Sequence, residues 1–173
     1  MRKIIKIITN PVFQLLHRWY FSKPRKYCYK NCYVWVHPVV FPPHFTISTR
    51  ILLDFIATLN LENKTVLELG CGSGILSVFA AKNGAIVTAS DINKEALDEL
   101  EKNQKNNDVS ISICYSDLFE NLNKMSFDYL FINPPYYPKN PINDKEKAWF
   151  CGENFDYFEQ LFKQIPPFLG INN

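Results

Sequence analysis

At Val66-Leu67-Glu68-Leu69-Gly70-Cys71-Gly72-Ser73-Gly74 an apolar run stops on three glycines at alternate positions, and an apolar helical pattern follows at once. No other feature restricts the fold of this chain as much. A buried strand that turns into a helix through such a loop brings its backbone close to whatever lies beyond the strand end, because glycine has no Cβ to hold a ligand off. The dinucleotide-binding fingerprint spaces its glycines G-x-G-x-x-G. Here the spacing is G-x-G-x-G, with Glu68 just before it. A carboxylate at the mouth of the loop repels a pyrophosphate and attracts an ammonium. That turns the reading away from NAD and towards a cationic, amino-acid-bearing cofactor.

The pattern around the turn is regular. Strands are predicted over 65–69, 85–90, 110–114 and 127–132, and helices over 75–82, 94–105 and 154–164. Before the turn, 12–20 fits an amphipathic helix and 33–36 a short strand, and Ser48 or Thr49 can cap a helix that begins at Ile51. Strands alternating with helices give an α/β fold, a Rossmann-like, doubly wound, mostly parallel sheet. Ligands in such sheets bind beyond the carboxyl ends of strands. Asp91 stands there, about 20 residues past the glycines, where an acid can accept hydrogen bonds from ribose hydroxyls. Its neighbour Ile92 can pack on adenine, and Asp117, in Ser116-Asp117-Leu118-Phe119, can accept from an adenine amino group. For either acid alone a helix N-cap is the better reading. A glycine turn, a ribose acid and an adenine acid arriving in order on successive strands favour a nucleoside site for the set.

The last predicted strand ends in Asn133-Pro134-Pro135-Tyr136-Tyr137-Pro138. Two adjacent prolines remove two backbone donors and force an extended course. A loop could end a strand with far less rigidity.

The glycine turn from Glu68 to Gly74, Asp91, Ser-Asp-Leu-Phe at 116–119 and Asn-Pro-Pro-Tyr at 133–136 together resemble the class I S-adenosylmethionine-dependent methyltransferases. The resemblance covers about residues 45–165 and implies that S-adenosyl-L-methionine is the cofactor, held by Phe45, Thr49, Glu68, Gly70, Cys71, Gly72, Gly74, Asp91, Ile92, Asp117, Leu118 and Asn133. In that family N-P-P-Y marks enzymes acting on a planar nitrogen, an amide or the exocyclic amine of adenine. Such a nitrogen is a poor nucleophile because its lone pair is delocalised. The resemblance makes Asn133, Pro134 and Tyr136 catalytic. The Asn133 side-chain oxygen and the Pro134 carbonyl would accept from the nitrogen's hydrogens, and Tyr136 would stack on the planar group. Positioning and preorganised electrostatics then carry the rate without a strong base.

Ala148-Trp149-Phe150-Cys151-Gly152-Glu153-Asn154 resembles the stretch that follows N-P-P-Y in the HemK-type release-factor glutamine methyltransferases. That implies a protein, release-factor-like acceptor. The alternative acceptor is adenine N6 in RNA, and an alternative of another class is a non-catalytic cofactor-binding or scaffold domain of the same fold. About four core strands are visible where the family has seven. The closing C-terminal strands are therefore expected to be missing, leaving an open sheet edge that invites self-association.

Charge divides the chain at about the same place as the resemblance. Residues 1–50 carry nine Lys or Arg and no acid, and the remainder carries 10 basic and 17 acidic residues. The division predicted is a basic, aromatic-rich N-terminal arm over 1–45 and a methyltransferase domain over 46–173. Tyr20, Tyr27, Tyr29, Tyr33 and Trp35 lie between the arm's cations, as phosphate contacts and base stacking would require; sheet packing accounts for the same rings. Five scattered cysteines favour free thiols in a reducing compartment. Cys28-x-x-x-Cys32 could begin a zinc site with His37 or His44, but no second pair completes it, and no metal is expected. No apolar run reaches membrane-spanning length. The opening Met-Arg-Lys-Ile-Ile-Lys is interrupted by Lys6, Asn10 and Pro11, unlike a signal peptide, and a cytoplasmic location is expected.

Overall fold

The computed structural model describes residues 22–123 and 126–169, so the helix predicted over 12–20 lies outside the described residues. Strands β1 (Arg25–Tyr29) and β2 (Cys32–Val36) form an antiparallel hairpin, and a short 3-10 turn, Pro43–Phe45, leads into helix α1 (Ile47–Ile56). Then come β3 (Thr65–Leu69), α2 (Ile75–Lys82), β4 (Ile86–Asp91), α3 (Lys94–Asn106), β5 (Ile111–Tyr115), β6 (Tyr129–Ile132), α4 (Asp144–Lys147) and α5 (Asp156–Gln164). The last four strands form one parallel sheet in the order β5-β4-β3-β6. Beyond β6, Leu169 makes a parallel bridge with Phe127. No helix among the described residues is long and apolar enough to cross a membrane.

β3 is buried along Val66–Leu69 because it is covered on both faces, and only apolar runs satisfy that position. Val66 and Phe131 join a core with α2, α3 and the hairpin. Leu67 and Leu69 face the other way, into a smaller core with Phe119, Phe127, Leu161 and Phe168. Helix α2 is apolar all round and correspondingly buried from Ile75 to Ala80. On α3 the buried positions Ala96, Leu100 and Asn103 fall at helical spacing, and its charges occupy the outer face except Glu99, which is buried and paired with Lys102 at 3.6 Å.

The hairpin, which the sequence division assigns to the arm, buries Tyr29, Cys32, Val34 and Val36 in the larger core. Two asparagines one helical turn apart hold it there. Asn103 accepts from the Trp35 N–H at 2.8 Å and donates back to the Trp35 carbonyl at 2.9 Å. Asn107 accepts from the Tyr33 N–H at 3.2 Å and donates to the Tyr33 carbonyl at 2.7 Å. Asn103 also donates to the Ser73 carbonyl at 3.2 Å, which ties the hairpin to the glycine turn.

Asn103 is fully buried, so its bonds have no water to replace them. Asn103→Ala is expected to destabilise the fold by about 2–4 kcal/mol, read as a lower urea midpoint at unchanged m-value. A loss below about 0.5 kcal/mol would show that this amide does not hold the hairpin.

Candidate active site at the sheet switch point

From β3 the chain moves to β4 and β5 on one side, then returns through β6 on the other. The connections diverge between β3 and β6, and a crevice opens beyond their carboxyl ends. A cleft of about 340 Å³ occupies this place.

The glycine turn is pinned over the end of β4. Gly70 and Cys71 both donate to the Ser90 carbonyl at 2.9 Å, and Gly72 donates to Asp91 Oδ2 at 2.8 Å. Gly74 has φ +73°, and a Cβ there would collide with Leu100 Cδ1, so both the backbone and the packing require glycine. Asp91 Oδ1 accepts from Asn93 N–H at 2.9 Å, and Asn93 in turn caps α3 by accepting from Glu95 N–H at 3.0 Å. Burial raises the Asp91 carboxyl above the usual carboxylate range, opposed by the backbone N–H groups of Asn93, Gly72 and Ile92.

Glu68 lies beneath the turn on the α2 side of β3 and is only 3% exposed. Its Oε2 accepts from the Ser77 N–H at 2.8 Å and from the Ser77 hydroxyl. Burial dominates over these two bonds and pushes the carboxyl up to about 8. In the protein without ligand, Glu68 is therefore mostly a buried acid at neutral pH rather than an open anion at the mouth. Burial also pushes the Cys71 thiol well up, with Asp91 and Glu68 adding to the effect.

Asp117 and Leu118 follow β5 into the wall. Leu118 adopts φ +46°, unusual for a branched side chain. The turn is held by Glu120 N–H on the Asp117 carbonyl and Asn121 N–H on Ser116 Oγ, at 3.1 and 3.0 Å. Across the switch point Asn133 follows β6, and its Nδ2 donates to Thr49 Oγ1 on α1 at 3.1 Å. The segment after the prolines closes the same side: Tyr137 N–H donates to the Trp149 carbonyl, and Cys151 N–H to the Tyr137 carbonyl. Phe41 and Trp149 rings lie 4.6 Å apart, which joins this segment to the one before α1.

Ten of the sequence-predicted residues meet in the cleft wall: Thr49, Glu68, Gly70, Cys71, Gly72, Asp91, Ile92, Asp117, Leu118 and Asn133. Four do not. Phe45 sits in the 3-10 turn, 59% exposed, and Phe41 and Pro43 line the cleft instead. Gly74 is packed against Leu100 as the first residue of α2's cap, Pro135 rather than Pro134 faces the cleft, and the exposed Tyr136 ring tilts on Tyr137 at 4.8 Å. The sequence reading missed Tyr157, which lines the cleft from α5. Burial, then the neighbouring Asp91 and Asp117 carboxylates, push its phenol far up, so it is a neutral donor beside both acids. A tyrosine within a helical pattern signals packing first, and only the fold brings it to this cleft.

Glu68 holds its proton more tightly folded than unfolded. Between its ordinary value of 4.5 and about 8 the folded chain binds more protons, so this group's contribution to stability falls as pH rises across that window. Glu68→Gln removes the titration. The stability difference between variant and wild type is expected to shift in the variant's favour from pH 4.5 to about 8 and to level off above it. A difference that stays constant in urea melts across the window would refute the burial argument.

The chain is similar to several known proteins. The chain is 42% identical over 92 residues to the release factor glutamine methyltransferase of Streptococcus pneumoniae, covering 51% of this chain and 33% of that one. It is 32% identical over 139 residues to the ribosomal RNA small subunit methyltransferase C of Buchnera aphidicola, covering 79% and 41%. Among solved structures it superposes on the Thermus thermophilus 16S rRNA N2 G1207 methyltransferase in complex with AdoMet and guanosine with a TM-score of 0.58, at 21% identity, covering 73% of this chain and 37% of that one. The chain spans half or less of the length of the curated relatives it matches. The family model of the methyltransferase small domain matches residues 31–149, and the chain belongs to that family.

Proposed function

We propose that the cleft binds S-adenosyl-L-methionine and that the protein methylates a planar nitrogen, a glutamine amide of a protein acceptor. The observation that carries this reading is the meeting in one cleft of Glu68 on β3, Asp91 on β4, Asp117 just after β5 and Asn133 just after β6. The residues fit the cofactor. A Cβ built on Gly70 would find no atom within 4 Å, so the space over the turn is open to a ligand. Asp91 accepts from the Gly72, Asn93 and Ile92 backbone N–H groups, and the acceptor capacity its two oxygens have left is available to a ribose hydroxyl. Asp117 is the acceptor for an adenine amino group, and an ammonium next to Glu68 would draw that buried acid back to carboxylate. S-adenosylmethionine supplies, when bound, an electrophilic methyl group on a sulfonium.

The chain's own part is to hold the acceptor. Asn133 Oδ1 accepts from an N–H of the acceptor nitrogen, which opposes delocalisation of the lone pair, and the neighbouring Pro134 carbonyl is the second acceptor of this reading although Pro134 does not line the cleft. Phe41, Pro135 and Phe150 provide an apolar collar suited to the methylenes of a glutamine side chain. Similarity to a release factor glutamine methyltransferase supports this acceptor. Adenine N6 in RNA is the second reading, and one surface favours it. On the outer face of the hairpin Lys26 lies 3.8 Å from the centre of the Tyr33 ring, and Trp35 is 40% exposed.

The test is labelled-methyl transfer to release factors and to RNA, beside calorimetric titration of the cofactor. Asn133→Ala is expected to lose transfer by ~10²–10³-fold while cofactor binding persists. Unchanged turnover would remove Asn133 from the mechanism. Asp91→Ala is expected to weaken cofactor binding ~10- to 100-fold, and intact affinity would refute the ribose assignment. Cofactor binding with no transfer to either acceptor class would favour a scaffold.

A further inference from the structure

We infer that Thr49 is a positioning residue: its hydroxyl, itself oriented by Thr46, fixes which end of the Asn133 amide faces the acceptor. The inference rests on the reading of Asn133 as the clamp and assigns Thr49 a task other than holding the cofactor. The two ends of an asparagine amide have nearly the same shape and opposite hydrogen-bonding character. In one orientation Asn133 offers an acceptor to the hydrogens of the substrate nitrogen. In the other it sets an NH2 against an NH2, which excludes the bond the clamp requires.

Three observations select the productive orientation. Asn133 Nδ2 donates to Thr49 Oγ1 at 3.1 Å, so the carbonyl end of the amide is the one left for the cleft. Thr49 is 4% exposed, so water competes little for that hydroxyl. Thr46 Oγ1 lies 3.3 Å from Thr49 Oγ1. A hydroxyl that donates its one hydrogen can only accept elsewhere. Thr46 is free to receive that hydrogen, because it occupies the N-cap of α1 without using its side chain as a cap. Either hydroxyl can donate in the Thr46–Thr49 pair; with Thr46 as the acceptor, which is the arrangement we infer, Thr49 is left only to accept from Asn133 Nδ2. Positions three apart share a helix face, which sets the two hydroxyls side by side. Leu53 and Ile56, buried further along α1, anchor the helix that carries them.

Thr49→Val keeps the shape of the side chain and removes the acceptor, and Thr49→Ser keeps the acceptor. The first readout needs no substrate: hydrogen exchange of the Asn133 side-chain amide by NMR, its signal identified by its loss in Asn133→Ala. Thr49→Val is expected to speed this exchange ~10-fold, while Thr49→Ser stays within about twofold of wild type and Thr46→Val lies between. Equal exchange in Thr49→Val and wild type would overturn the inference.

The second readout is methyl transfer. Thr49→Val is expected to lower kcat ~10-fold with cofactor affinity within about twofold, and to add no further loss in the Asn133→Ala background. Additive losses, or weakened cofactor binding, would mean that Thr49 touches the cofactor or supports the fold, and would overturn the inference. If Asn133→Ala turns over normally, the clamp reading fails by itself, and the exchange measurement still decides whether Thr49 orients the amide.

Discussion

The cleft depends on one junction, where the glycine turn is hung from the end of β4. Ser90 receives two consecutive N–H groups of the turn on its carbonyl, and Asp91 receives a third on its carboxylate. Backbone donors buried at a strand end need acceptors, and β4 supplies all three within two residues. The same carboxylate accepts from Asn93, which caps α3. A single acidic side chain thereby fixes the turn before one helix and the start of the next. Asp91 also lines the cleft, so the acid that we propose for the ribose is held in place by the same bonds that fix the turn.

The central strand meets a different demand. A carboxylate buried on β3 costs free energy unless it is bonded or neutralised. Glu68 does both, taking two bonds from Ser77 and keeping its proton at neutral pH. Its partner stands in the first turn of α2, so the acid also fastens the helix that the glycine turn launches. Electrostatics here follows from packing: the same residue at an open loop would be an ordinary anion.

How far the sequence could be read depended on how local each signal was. β3, β4, β5 and β6 fall within two residues of their predicted ranges, and β3, buried on both faces, is the nearly continuous apolar run that anchors the register of the rest. β1 was not visible. Arg25-Lys26-Tyr27-Cys28-Tyr29 looks polar and basic, yet Tyr29 is buried and Lys26 and Cys28 point outward, an alternation hidden by two cations. In the site, the residues that follow strands were legible because topology alone places strand ends together. The collar was not. Phe41 takes the place expected of Phe45 because Pro43–Phe45 forms a tight turn that carries the later ring outward. The contact of Thr49 with Asn133 spans 84 residues, and no periodicity reports a bond of that range.

The asparagines of α3 do more than fasten a hairpin. A two-stranded ribbon has two free sides, and the outward amides of β2 are those of Tyr33 and Trp35, both engaged by Asn103 and Asn107. Side chains of a helix thus imitate a third strand. A foreign β-segment arriving there would find no vacant backbone to pair with, which removes a template for strand addition and fibril growth from a surface that has to carry an exposed tryptophan.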